Sequence, residues 1–184
     1  MRLGGSAILD SKIGRDLLAE PENAAVGGLS TVFGLAVGYD ATRFVGFELA
    51  ADGHEYIVTV RGVGTIAEYA VYTVVPQLRV RYSLVRGYLV PYAVVGIGVS
   101  WAETNDTKAR AIDLDVHGRE DVGIVGVVGA GAEYFLTRNI AVGLETNYHA
   151  IRGHEFKVAA RSRKVSIDAL LTSAALRIYF GRWE

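Results

Sequence analysis

Residues 121–149, DVGIVGVVGAGAEYFLTRNIAVGLETNYH, decide the fold of this chain. They carry no helical stripe, and five glycines interrupt them, each of which would cost a helix interior about 1 kcal/mol relative to alanine. The stretch instead has a period of two, the period of side chains that alternate between the two faces of a strand. Thr137, Arg138 and Asn139 separate its halves, and asparagine tolerates the dihedral angles of tight turns. We therefore predict a β-hairpin.

The two faces of this hairpin differ in chemistry. One face is apolar with aromatic residues near its ends, and it holds Val128, Ala130, Ala132, Tyr134, Ile140, Val142, Leu144, Thr146 and Tyr148. The other face is mostly glycine with an occasional acid, and it holds Gly129, Gly131, Glu133, Gly143, Glu145 and Asn147. The class of protein depends on which face lies inside.

The composition of the whole chain narrows the possible functions. The chain has 184 residues, of which 51% are apolar, and a formal net charge of −1. We expect one domain over residues 1–184, without a basic surface for nucleic acid. The absence of cysteine excludes disulfides and zinc–thiolate sites.

Neither a membrane-spanning helix nor a signal peptide is expected. The longest uncharged run, residues 87–102, has 16 residues, whereas a spanning helix needs about 20 apolar ones. The first five residues, MRLGG, lack the apolar segment of a signal peptide. The protein is therefore expected either to stay inside the cell or to be a mature form whose leader has been removed.

Alternating segments recur along the chain and predict about eight strands. Besides the hairpin at 121–149, they cover residues 1–9, 29–39, 44–56, 69–83, 89–101 and 166–180. Short connections near residues 41, 86 and 138 are expected on one rim together with both termini. Long polar loops are expected on the other rim, at residues 10–23, 61–68, 103–120 and 152–165. Pro76 lies within a predicted strand and cannot donate to a ladder, so we expect a bulge or register change there.

The charged residues of the glycine-bearing face indicate that this face is the inside. They are only six, and an exterior in water should be roughly a quarter to a third charged. An eight-stranded barrel has a lumen just wide enough for side chains to fill, and three acids there would balance three arginines. Because an unpaired buried charge is costly, we predict one layer of ion pairs. Glu48 should lie near Arg79 or Arg81, and Arg177 near Glu145, in a layer formed by Glu48, Arg79, Arg81, Glu133, Glu145 and Arg177.

Aromatic residues support the same orientation. On the apolar face of the strands, aromatic residues lie near both ends. They are Tyr39, Tyr82, Trp101, Tyr134, Tyr148 and Phe180. Two aromatic girdles flanking an apolar band are typical of a membrane β-barrel with a polar lumen. The alternative is a soluble lipocalin-like barrel, which would carry an apolar ligand against an apolar interior.

Four segments resemble the eight-stranded outer-membrane β-barrel family of OmpA/OmpX type. They are FGLAVGYDATRFVGFELA (33–50), LVPYAVVGIGVSWA (89–102), VVGAGAEYFLTRNIAVGLETNY (127–148) and LTSAALRIYF (171–180). In the last segment the alternating Leu176, Ile178 and Phe180 resemble the family's C-terminal insertion signal. The family typically ends on the aromatic residue, whereas this chain continues with GRWE.

This resemblance implies an all-β, closed, antiparallel, up-and-down transmembrane β-barrel in the bacterial outer membrane. It implies a monomer without cofactor or catalytic activity, which anchors or stabilises the membrane or presents long loops for adhesion and surface recognition. The expected partners are the lipid bilayer and, through loops 103–120 and 152–165, lipopolysaccharide or a surface receptor.

Candidate sites outside the lumen are few. His149, His154 and Glu155 could form a zinc site, but solvated loop histidines are the simpler interpretation. The His-x-Ser-Asn motif of outer-membrane lipid A deacylases is absent, because Ala-Ile-Arg follows His149. No Ser–His–acid triad is selected by spacing.

Two loop features could serve surface contact. Arg161, Arg163 and Lys164 form a basic cluster that could meet the phosphates of anionic sugar-lipids, or simply be solvated. Ile112, Leu114 and Val116 alternate with acids, which could extend a hairpin beyond the membrane or offer an edge strand to a partner.

Overall fold

The protein is built from β-strands. Its structure, a computed structural model, describes residues 1–8, 24–26, 30–60, 64–82, 88–104, 107–109, 114–116, 121–158 and 161–179. The strands in these ranges are β1 (Arg2–Ile8), β2 (Ala24–Val26), β3 (Ser30–Asp40), β4 (Val45–Val60), β5 (Gly64–Arg81), β6 (Leu89–Thr104), β7 (Thr107–Ala109), β8 (Leu114–Val116), β9 (Asp121–Phe135), β10 (Ile140–Val158) and β11 (Arg161–Ile178). Within the described ranges, no helix is long and apolar enough to cross a membrane.

Eight of these strands close into a ring. Each pairs antiparallel with its neighbour in the order β1, β3, β4, β5, β6, β9, β10 and β11, and β11 pairs back with β1. At the closing seam Arg2 lies opposite Ala175, and the Leu176 amide donates to the Met1 carbonyl over 2.9 Å. A closed ring leaves no unpaired edge along the barrel wall. The predicted antiparallel eight-stranded barrel is therefore confirmed.

The apolar face of each strand, which is formed by every second residue, points outward. Leu35 and Val37 on β3 are 67% and 78% exposed, and Ile97 on β6 and Leu144 on β10 are 68% and 67% exposed. The opposite parity is buried in the lumen, where Glu133 and Glu145 are each 1% exposed. The lipocalin-like alternative is wrong, because such a barrel buries its apolar face and exposes its polar one.

The two short turns that the structure describes share one rim and one chemistry. In the turn at residues 41–44, the Thr42 hydroxyl accepts hydrogen bonds from the Phe44 and Val45 amides at 3.1 and 3.0 Å. In the turn at residues 136–139, Thr137 accepts from the amides two and three positions on, at 3.2 and 3.1 Å. Threonine side chains that bind nearby amides in this way stabilise tight turns. The N-terminus lies on the same rim, since the Met1 amine donates to the Leu176 carbonyl.

The strands on the other rim are longer than expected. The predicted loops at 61–68 and 152–165 are wrong over most of their length, because β4 and β5 run to within three residues of each other, and β10 and β11 to within two. Polar residues form a ladder as readily as apolar ones once the strand has left the membrane, so hydropathy marks only the membrane-embedded part. Within 103–120, β7 pairs with β8 and Val116 on β8 pairs with Val158 on β10, as a hairpin extension would.

The described ladders are interrupted at three places: at residues 152–153 of β10, at residues 75–76 of β5, and at residue 66 of β5, which is extra between the pairs Val58–Ala67 and Thr59–Thr65. At Arg152 and Gly153 two residues of β10 lie opposite one of β11, and Gly153 has a φ of 93°, which favours glycine. This bulge shifts the parity of β10 so that His154 turns inward. Pro76, in contrast, causes no bulge or register change, so that prediction is wrong. The ladder to β6 skips residues 75 and 76 and resumes in the same register.

Candidate functional site: the polar lumen

An ion-pair network crosses the half of the lumen nearest the short turns. Arg177 lies 2.9 Å from Glu133 and 2.6 Å from Glu145, measured from guanidinium nitrogen to carboxylate oxygen. Arg79 lies 2.6 Å from Glu133 and 3.6 Å from Glu48. The structure thus brings together five of the six charges singled out from the sequence, with Arg79 rather than Arg81 beside Glu48.

Arg81 belongs to a different contact. It lies two residues nearer the short-turn rim than Arg79, which is roughly 7 Å along a strand. There its guanidinium is 2.6 Å from Asp40 and donates to the carbonyls of Thr42 and Arg43, each at 3.3 Å. Placing Arg81 in the network layer was therefore wrong. Its role at the rim is to join β5 to the turn between β3 and β4.

Arg2 completes the network, although it was not among the lumen residues predicted from the sequence. It is 3% exposed, forms an ion pair with Glu48, and lies 3.3 Å from both Asp52 and Glu145. The sequence did contain a signal for this position. Arg2 lies on the same face of β1 as Gly4 and Ser6, and small residues are typical of the inner face. That short first strand was too weakly patterned for the parity to be assigned.

Two tyrosines link the arginines to the acids in matching ways. Tyr92 donates to Glu145 at 2.6 Å and accepts from Arg177 at 3.0 Å. Tyr179 donates to Glu133 at 2.5 Å and accepts from Arg79 at 3.0 Å. Each buried hydroxyl is therefore satisfied as both donor and acceptor, which a network in a low-dielectric interior requires.

Glycine makes room for these long side chains. A Cβ on Gly131 would lie 2.5 Å from the Tyr92 ring and its hydroxyl, and one on Gly143 would lie 3.2 Å from Cγ of Glu133. The glycines therefore keep the inner face of the wall thin where Tyr92 and Glu133 lie against it.

The histidines occupy the other half of the lumen. His54, His149 and His154 are 1%, 0% and 0% exposed, so interpreting the last two as solvated loop residues was wrong. The rings of His54 and His149 lie 5.7 Å apart, centroid to centroid, at 77°. His117 and the Glu155 side chain lie outside what the structure describes. In the described part of the chain, no group of three or more His, Cys, Asp or Glu side chains is placed to hold a metal ion.

His154 forms a hydrogen bond to a serine. Its Nε2 lies 2.9 Å from the Ser100 hydroxyl, which is the geometry of a nucleophile and its base. Ser100 is also 0% exposed, and the apolar side chains of Val71, Val125, Ile151 and Ile167 are buried at this end of the lumen.

The predicted girdle residues lie on the outer surface where the structure describes them. Tyr39, Tyr82 and Tyr134 are more than half exposed near the short turns, and Trp101 is 36% exposed towards the other rim. Tyr148 donates to Asp168 at 2.9 Å, and Arg152 lies 2.7 Å from the same carboxylate. A satisfied hydroxyl at the edge of an apolar band suits an interfacial tyrosine. Phe180 lies outside the described residues.

The basic cluster lies on a strand. The backbones of Arg161, Arg163 and Lys164 belong to β11, and Lys164 pairs in register with Glu155 of β10. Their side chains lie outside the described part of the structure, so their contact with a surface partner stays a prediction.

Comparison with known proteins agrees with this architecture. A family model described as the outer membrane protein beta-barrel domain matches residues 9–170. The chain belongs to this family. The protein is therefore a β-barrel of the bacterial outer membrane, and no curated protein sequence matches it.

Solved structures share the fold of this outer-membrane barrel. Neisserial surface protein A is 14% identical, with a TM-score of 0.59 over 97% of this chain and 95% of that one. The outer membrane protein OprG from Pseudomonas aeruginosa is 18% identical, with a TM-score of 0.62 over 97% and 93%. A weaker likeness, with a TM-score of 0.43 and 13% identity, is to the outer membrane enzyme PagL and decides nothing about catalysis.

Proposed function

We propose that residues 1–184 form a single-domain, non-porin outer-membrane barrel that anchors itself in the membrane and presents its outer strand extensions for surface interaction, without catalysis. The observation that carries this function is a lumen filled with ion pairs beneath a wall that rises well beyond the membrane.

The filled lumen argues against a pore. Arg2, Arg79, Glu133 and Glu145 are each at most 4% exposed and hold one another across the interior. A cavity of about 630 Å³ lies at the short-turn end, and Arg2, Glu48, Arg79 and Arg177 of the network line it together with Arg43 of the rim. Opening a path for solutes would separate several buried pairs, and breaking even one of them costs about 3–5 kcal/mol.

The long outer strands supply the contact surface. The 19 residues of β10 extend over about 60 Å along the strand, whereas a spanning strand needs only about 9–11 residues. Roughly half of β10 therefore projects beyond the apolar band, alongside β11, β8 and β7. Paired strands hold a surface more rigidly than a free loop, and pre-organised surfaces bind with a smaller loss of conformational entropy.

Catalysis finds no support in the described lumen. The Ser100–His154 pair has suitable geometry, but both residues are fully buried. A hydrolase needs its nucleophile within reach of the substrate.

Two measurements test the proposed function. The folded protein, identified by its heat-modifiable gel migration, should show no steady conductance in a planar bilayer, and a reproducible open channel would contradict the non-porin assignment. For surface contact, a triple alanine variant at Arg161, Arg163 and Lys164 should bind lipopolysaccharide-containing vesicles more weakly than wild type. Arg43→Ala, at the opposite rim, is the matched control. Equal binding by the triple variant would exclude this cluster as the contact.

A further inference from the structure

A tyrosine and an arginine recur together at the short turns. Tyr39 precedes Arg43 by four residues at the turn between β3 and β4, and Tyr134 precedes Arg138 by four residues at the turn between β9 and β10. We propose that these two Tyr–Arg pairs bind the headgroup phosphates of anionic phospholipids of the phosphatidylglycerol class. The lipids would come from the leaflet that the short-turn rim meets.

Both turns hold their arginine in the same way. Each arginine follows a threonine whose hydroxyl accepts from the amides two and three positions on. The amides of Thr42 and Thr137 donate to the carbonyls three positions on, at 3.0 and 3.2 Å. These bonds close each turn without using the arginine side chain, and Arg43 and Arg138 are both exposed. The fold therefore presents two guanidinium groups at equivalent turn positions.

The tyrosines place these arginines at the depth of lipid headgroups. Tyr39 and Tyr134 are 73% and 52% exposed on the outer face, and Tyr134 stacks on Tyr88 with 6.3 Å between ring centroids. Interfacial tyrosines mark the edge of the apolar band, so a turn that follows them lies among the headgroups. The Arg43 guanidinium lies 4.5 Å from the centroid of the Phe44 ring. An arginine in this position rests its stem on apolar surface and keeps its charge at the phosphates.

The charges at the turns favour an anionic headgroup over a zwitterionic one. Neither Arg43 nor Arg138 forms an ion pair with a described carboxylate. The acid nearest to Arg43 along the chain, Asp40, lies 2.6 Å from Arg81, and the one nearest to Arg138, Glu133, is buried in the network. Each guanidinium can therefore meet a phosphate through two parallel hydrogen bonds. The ammonium of a zwitterionic lipid would find no unpaired carboxylate from these two acids.

The two sites lie on opposite sides of the barrel. In the ring order, four strands separate the β3–β4 turn from the β9–β10 turn in either direction. Anchors on opposite sides of one rim fix both the depth and the tilt of a barrel in its leaflet. The sequence repeats the same spacing at Tyr82 and Arg86, but Arg86 lies outside the described residues and is not part of the site. The sites are at the rim opposite to the proposed surface contact, so the two roles are independent.

The test measures the lipid selectivity of the folded full chain in phosphatidylcholine vesicles. The vesicles contain a trace of spin-labelled phosphatidylglycerol or spin-labelled phosphatidylethanolamine. One arginine near an anionic headgroup favours it about fivefold, and averaging over all lipids around the barrel predicts about a twofold preference for phosphatidylglycerol over phosphatidylcholine. The double variant Arg43→Gln, Arg138→Gln should lose most of this preference, and so should wild type at about 1 M salt, where charges are screened within about 3 Å.

Arg152→Gln is the matched control. Arg152 is also an exposed arginine, but it lies towards the other rim and its guanidinium is 2.7 Å from Asp168. Its replacement should leave the preference for phosphatidylglycerol unchanged. The substitutions at Arg43 and Arg138 keep the threonine hydrogen bonds of the turns, and heat-modifiable migration checks that each variant has folded. If the double variant does not fold, the single variants decide the matter, since each should lose part of the preference.

Four results would overturn the phospholipid site. A wild-type barrel that takes up phosphatidylglycerol and phosphatidylcholine equally has no such site. Equal preference for phosphatidylglycerol and phosphatidylethanolamine would mean that the rim does not recognise net charge. An unchanged preference in the double variant, or an equal loss in Arg152→Gln, would place the contact elsewhere. Weaker binding of the double variant to lipopolysaccharide-containing vesicles, with its phosphatidylglycerol preference intact, would assign the arginines to lipid A instead.

Discussion

Removing Arg177 should destabilise the barrel more than removing Glu145. Arg177→Met deletes the contacts to Glu133, Glu145 and the Tyr92 hydroxyl, and leaves four acids facing two arginines. Removing one partner of a buried pair costs about 3–5 kcal/mol, and the remaining excess of two acids indicates about 4 kcal/mol here.

Glu145→Leu should cost less because the remaining charges balance. Arg177 keeps Glu133, and Arg2 keeps Glu48 and Asp52. What remains unsatisfied is the Tyr92 hydroxyl and the Asn147 amide, which donate to Glu145 at 2.6 and 2.5 Å. A buried donor without a partner costs about 1–3 kcal/mol, so we expect about 2 kcal/mol in all if the two groups partly relax.

Urea unfolding in lipid vesicles, followed by heat-modifiable migration, measures both free energies. Val142→Leu is the control, because Val142 faces outward on the same strand as Glu145 and its replacement leaves the network intact. Equal losses for Arg177→Met and Glu145→Leu would refute the reasoning from charge balance. An unchanged unfolding midpoint for both variants would refute the network as a source of stability.

Three further substitutions test single features of the wall. Gly131→Ala should destabilise the barrel by about 1–3 kcal/mol because its Cβ would meet the Tyr92 ring. Gly126→Ala is the control and should be neutral, because a Cβ there would have nothing within 4 Å. Equal unfolding midpoints for the two variants would contradict the conclusion that glycine makes room for Tyr92. Gly153→Ala should cost about 1–2 kcal/mol through its positive φ alone, since its Cβ would have space, and a neutral result in the same assay would mean that the bulge relaxes. Arg81→Met should cost only about 1 kcal/mol, because its carboxylate partner at the rim remains within reach of water; a loss as large as that of Arg177→Met would place Arg81 in the network after all.

The closed ring also explains why the lumen can hold so many charges. In an open sheet the residues of β1 and β11 would lie at opposite edges, yet Arg2 on β1 meets Glu145 on β10 and Glu48 on β4. Closure therefore creates the pairs, and the pairs in turn join opposite sides of the wall. This mutual dependence makes Arg2, near the start of the chain, one of the residues on which the interior most depends.

The faces of the strands could be read from the sequence because strand periodicity is local. Neighbouring residues in a strand lie on opposite faces, so counting along the sequence assigned each residue to a face. The shortage of charged residues on the glycine-bearing face then showed that this face is inside. The same counting brought Glu48, Arg79, Glu133, Glu145 and Arg177 to similar heights in the lumen. It could not separate Arg81, whose height differs by only two residues.

Everything that depended on closure or on a break in periodicity required the tertiary structure. The partners of Arg2, and the tyrosine hydroxyls that bridge Arg79 and Arg177 to the acids, result from contacts across the lumen between residues far apart in the chain. His154 turns inward only because the bulge at Gly153 shifts the strand by one position, which no period-two count anticipates. By itself, then, the sequence determined a membrane barrel and its two faces. The ring decided which charges pair, because only closure brings opposite walls within reach of each other. It also decided that His54, His149 and His154 are buried in the lumen.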